Sequence, residues 1–136
     1  MKDDQLLARL LQVVTLQYER ALALFREVDM KQRAAEAQIR TLENQVPPVP
    51  TEIGTALATE RWERWRQERV KSLKQEYLSR QTSWNELRRN AQQAQARRQV
   101  VEKLIVRNRM NTARERARKA AWNQNPVKRP AVRCRR

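Results

Sequence analysis

The sequence predicts an all-α protein: a long antiparallel two-helix coiled-coil hairpin with a basic, partly disordered C-terminal tail. Three observations predict it. Two long stretches repeat apolar residues at alternating steps of three and four. Three prolines within four residues separate those stretches. A single glycine in 136 residues leaves little for hairpin turns, twisted sheets or phosphate-cradling loops.

The first helix is expected over residues 5–46. One seam position is Leu7, Val14, Ala21, Val28, Ala35 and Leu42; the other, four residues on, is Leu11, Tyr18, Phe25, Gln32, Ile39 and Val46. Eleven of the twelve are apolar, and Gln32 is the exception. On the outer face Glu27/Lys31, Asp29/Arg33 and Glu36/Arg40 place an acid four residues before a base. Each such pair supports a helix by roughly 0.2–0.5 kcal/mol. Pro47, Pro48 and Pro50 then stop the helix, and a loop is expected over 47–54.

The second helix is expected over 55–122, with Thr55 or Thr59 as its cap. Its seam reads Val70, Leu73, Tyr77, Arg80, Trp84, Leu87, Ala91, Ala94, Arg98, Val101 and Ile105. Arg80 and Arg98 interrupt it, with stems long enough to reach solvent. Trp62 and Trp65 do not continue this register, so a stutter is expected near residue 66. Residues 1–122 thus form one hairpin domain, and 123–136 a basic disordered tail. At 1.5 Å per residue the helices span about 63 and 100 Å, so the second overhangs the first beside the N-terminus.

Charge is uneven along the chain. Residues 1–46 are neutral overall, 47–90 carry +3, and 91–136 carry +12 of the total +15. Arg97, Arg98, Lys103, Arg107, Arg109, Arg114, Arg116, Arg118 and Lys119 cover most faces of the overhanging helix. An isolated helix of this kind repels itself and suits an acidic receptor, either nucleic acid or an acidic protein channel. The bland reading is a solvated tail. No zinc finger, aromatic RNA-binding motif or helix-turn-helix accompanies the charge.

Catalytic equipment is sparse. The chain has no His, and its lone Cys134 has no second cysteine to pair with. Neither an enzyme nor a bound cofactor or metal is expected. Asp3, Asp4 and Arg9 argue against a secretory signal, and no run of about 18 apolar residues would span a membrane. A cytoplasmic location without membrane insertion follows.

Other features carry two readings each. Trp84 reads as seam packing. Trp62 and Trp65, three apart after the loop, read as a plug for the hairpin's far end or as an aromatic anchor for a partner. Gln32, near Arg80 or Arg98, reads as a register lock or as a solvated seam.

With these residues in place, the chain resembles the stalk proteins of type III secretion, the FliJ family of flagella and the YscO/HrpO family of injectisomes. The resemblance lies in the leucine-rich start LLARLLQVV with Arg20-Ala21, in Gln38, Ile39 and Leu42 before the loop, and in Arg61, Trp62 and Gln67 to Leu73 after it. It implies a non-enzymatic stalk at the cytoplasmic base of a secretion apparatus. By that likeness Leu6, Leu7, Leu11, Arg107, Arg109, Arg114, Arg116, Arg118 and Lys119 would enter the pore of a hexameric secretion ATPase. Gln38, Leu42, Trp62 and Trp65 would face the export-gate membrane protein or export chaperones. A nucleic-acid-binding coiled coil is the alternative.

Overall fold

The computed structural model describes residues 2–46 and 53–124. It contains two long helices, α1 (Lys2–Asn44) and α2 (Ile53–Gln124), as expected of an all-α helical hairpin. Among the described residues only Gln45 and Val46 are not helical. Neither helix is long and apolar enough to cross a membrane.

The helix ends differ from the expected ones. α1 begins at Lys2 rather than residue 5, because Asp3 and Asp4 in its first turn favour the positive helix N-terminus. It stops at Asn44 rather than 46, since Val46 precedes a proline and is steered away from helical backbone. α2 starts at Ile53, not 55. Gly54 is therefore helical, without positive φ, and a β-carbon added there would meet no other side chain. Neither threonine acts as the expected cap: Thr59 Oγ1 donates to the Thr55 carbonyl at 2.8 Å inside the helix. Asn123 and Gln124, expected in the tail, are the last helical residues. The rest of the expected loop, 47–52, and of the tail, 125–136 with Cys134, lies outside the described residues.

The chain divides into two compact units, Met1–Leu16 with Gln95–Arg136 (unit 1) and Gln17–Ala94 (unit 2). In unit 2 the α1 positions Ala21, Phe25, Val28, Gln32, Ala35, Ile39 and Leu42 are all buried or half-buried, at steps of three and four. On α2 the matching positions are Thr55, Thr59, Trp62, Arg66, Val70, Leu73, Tyr77, Arg80, Trp84, Leu87, Ala91 and Ala94. The steps alternate except for two successive fours, Trp62 to Arg66 to Val70. That is the stutter expected near residue 66, and it brings Trp62 into the seam after all. Val46 alone of the twelve α1 seam positions is exposed, because it lies beyond the helix.

Contacts between the helices of unit 2 run in falling order along α2 as α1 advances. Phe25 meets the Trp84 ring at 5.6 Å between centroids. Asp29 accepts from the Trp84 indole N–H at 3.0 Å. Gln32 reaches Tyr77 and Gln81, and Leu42 reaches Arg66. In unit 1, Leu7, Leu11 and Val14 of α1 and Arg98, Val101, Ile105, Asn108 and Thr112 of α2 are all at least half-buried, and Leu7, Leu11 and Ile105 line one groove. There Asn108 Nδ2 donates to Asp4 at 2.6 Å.

Candidate functional site

In unit 2 a polar layer crosses the seam. The Gln32 side chain is only 4% exposed, and its Nε2 donates to the Tyr77 carbonyl at 2.9 Å and to Gln81 Oε1 at 3.3 Å. Its own Oε1 is buried without a partner. Tyr77 donates its hydroxyl to Glu36 at 2.9 Å. That bond holds the phenol above its usual pKa, and burial and the nearby carboxylate charge push the same way. The Asp29 carboxylate is shared between Trp84 and Arg33, the latter at 2.9 Å.

This layer corrects one expectation and refines another. The Gln32 amide bonds go to Tyr77 and Gln81 rather than to the Arg80 side chain, which turns back to Glu76. The pairs Glu27/Lys31, Asp29/Arg33 and Glu36/Arg40 all form. Asp29 and Glu36, however, are half-buried and bridge to the other helix rather than lying on an outer face. They stand one heptad apart, on either side of Gln32, and that spacing is the signal that reveals them.

The residues matched to a gate or chaperone contact also lie in unit 2, and they divide. Leu42 and Trp62 are half-buried in the seam, while Gln38 and Trp65 are exposed, Trp65 at 53%. A clasp sits between Leu42 and Trp62. α1 has no basic residue in its last turn. Arg66 of α2 supplies one, donating Nη1 to the Leu42 and Glu43 carbonyls at 3.0 and 3.3 Å. Those carbonyls end a helix and lack intrahelical donors. The same guanidinium grips Glu63 with its other two nitrogens, Nη2 and Nε, the latter at 3.1 Å, and lies over the Trp62 ring at 5.8 Å. Arg66 is absent from the expected site because its role appears only when the two helices meet.

The Arg66 hydrogen bond holds the Glu63 carboxyl below its ordinary value, against a smaller opposing effect of burial. A carboxylate whose folded-state pKa is depressed adds stability above its unfolded pKa. That stability is lost as pH falls through the folded value. The stability difference between the parent and Glu63→Gln is therefore constant from neutral pH to about 5 and shrinks below about 4. Urea melts at stepped pH measure it; a difference that grows on acidification refutes the clasp.

The residues matched to ATPase insertion lie in unit 1. Leu7 and Leu11 are half-buried, and with Ile105 and Val106 they line a groove of about 600 Å³. Leu6 points outward, 61% exposed. Arg107, Arg109, Arg114, Arg116, Arg118 and Lys119 are exposed, and from Ala113 to Gln124 every residue of α2 is exposed. Among the described residues, Arg98–Glu102 is the ion pair of unit 1, whereas unit 2 holds seven. The described residues contain no cluster of acidic or cysteine side chains arranged to hold a metal ion.

Comparison with family models, curated proteins and solved structures returned no match.

Proposed function

We propose that the protein is a non-enzymatic central stalk of a type III secretion ATPase complex, flagellar or injectisome. Its two helices form an antiparallel coiled-coil hairpin, a reading supported by the 3–4 spacing of buried positions and by the falling order of interhelical contacts in unit 2. The end that bears both termini enters the hexameric ATPase at the cytoplasmic base of the apparatus. Gln38, Leu42, Trp62 and Trp65 serve the export gate or export chaperones, with Gln38 and Trp65 making the outward contacts.

One observation carries the proposal. Arg114, Arg116, Arg118 and Lys119 stand on a stretch of α2 whose residues are all exposed, and none of the four is in an ion pair among the described residues. Such a helix gains by entering an acidic, low-dielectric channel. Mixing the protein with the purified secretion ATPase of the same cell is expected to raise ATP turnover. The combined variant Arg114→Glu, Arg116→Glu, Arg118→Glu, Lys119→Glu is expected to lose the increase. Unchanged stimulation by that variant overturns the insertion model.

The same exposed cations favour a second reading, sequence-blind nucleic-acid binding. It predicts tight binding whose logarithm falls steeply and linearly with the logarithm of salt concentration. Filter-binding titrations at two salt concentrations separate the two; micromolar or weaker binding at physiological salt removes the second.

A further inference from the structure

We infer that unit 1 carries a docking strip for an acidic amphipathic helix of a partner protein. The strip shares Leu6 and Arg107 with the segment proposed to enter the ATPase, but it is argued from apolar residues that the buried seam leaves over, and its test uses no ATPase, so the two readings fail separately.

Leu6, Leu10 and Val13 of α1 recur at steps of four and three, and so share one face of that helix. All three are exposed, although the adjacent Leu7, Leu11 and Val14 are at least half-buried in the seam. On α2, Val100 and Leu104 are one turn apart and also exposed. The two faces meet: Leu6 and Leu104 line one groove of about 540 Å³, together with Leu7 and Arg107. Leu10 and Val13 continue the Leu6 face along α1, and Val100 continues the Leu104 face along α2, the spacing of a helix-binding groove read at i, i+3, i+4 and i+7.

Charge selects the occupant. Arg9 follows Leu6 by one turn, Arg97 precedes Leu104 by two turns, and Arg107 lines the groove itself. None of these three has an ion pair or side-chain hydrogen bond among the described residues. Asp3 is the acidic residue in the groove lining. The described part of unit 1 carries eleven basic and four acidic side chains. A second copy would set these like charges face to face, at a cost of several kcal/mol. The chain's own remaining segments do not fit either. Residues 125–136 contain five basic and no acidic side chains, and residues 47–52 contain three prolines, which cannot form a docked helix. What fits is a foreign helix with an apolar stripe flanked by Asp and Glu.

The test uses the full chain and synthetic helical peptides of about 21 residues, three heptads long, with leucine in the stripe. One peptide carries Glu on both flanks, one carries Lys, and one scrambles the Glu peptide at equal charge. Fluorescence anisotropy is expected to show micromolar binding of the Glu peptide, weakened about tenfold or more by Leu6→Gln with Leu104→Gln. Arg9→Glu with Arg97→Glu and Arg107→Glu is expected to remove binding. Far-UV circular dichroism checks that both variants keep parent helicity; because the altered residues are exposed, they should. Equal binding of the scrambled peptide means charge alone attracts it and overturns the proposal. Equal binding of the Lys peptide overturns the charge selection. Concentration-dependent dimerisation that Leu6→Gln with Leu104→Gln abolishes would give the strip to a second copy and overturn the foreign partner.

Discussion

Leu73→Ala is expected to lower the free energy of unfolding by about 2–4 kcal/mol, the range for truncating a buried leucine. Leu73 is 3% exposed, the lowest among the core residues of the described chain, and no described side chain is completely enclosed. A seam one side chain thick lets its walls partly close around a lost leucine, which favours the lower part of that range. The internal control is Leu78→Ala on the same helix, 67% exposed, expected to change stability by less than about 0.5 kcal/mol. Urea unfolding followed at 222 nm compares the midpoints, with the slope unchanged if the effect is on stability alone. Equal losses at 73 and 78 would mean that Leu73 is not sealed by the other helix.

The seam is legible in the amino-acid sequence because a buried stripe leaves a period there. Leu73, Ala91, Ala94 and Val101 are buried where the 3–4 count puts them. The stutter is legible for the same reason, although its consequence for Trp62 is not: the count marks a phase change without saying which residues after the loop rejoin the seam. What stays hidden depends on the other helix. Asp29 and Glu36 have good intrahelical partners in Arg33 and Arg40, so a rule for one helix explains them fully. Their bonds to Trp84 and Tyr77 exist only once a pairing register is chosen. Arg66 is a similar case, since its carbonyl acceptors lie on a chain segment more than twenty residues away. The second apolar stripe, Leu6, Leu10 and Val13, is periodic too. It is masked by the leucines beside it, for which the seam already accounts.

Gln32→Leu is expected to stabilise the fold and loosen its register. The wild-type amide gains two hydrogen bonds, but one acceptor is a helix carbonyl and the other, Gln81, is half-buried and within reach of water. Against this stands an Oε1 buried without a donor. An unmet buried acceptor costs about 1–3 kcal/mol, whereas a net amide bond contributes about 1. Leucine of similar volume removes the unmet oxygen and buries more apolar surface. A gain of about 1 kcal/mol follows, or a rise in Tm of about 2–8 °C. What is lost is the only buried polar side chain among the described residues, and polar seam residues fix register at the expense of stability. The Trp84 indole N–H, bonded to Asp29 only in the native register, reports on this. Its NMR signal is expected to be single and sharp in the parent, and broadened or doubled in Gln32→Leu. A variant that loses stability would show that the amide bonds outweigh the unmet oxygen. A stabilised variant with one sharp indole signal would show that Phe25, Trp84, Tyr77 and Glu36 hold the register without it.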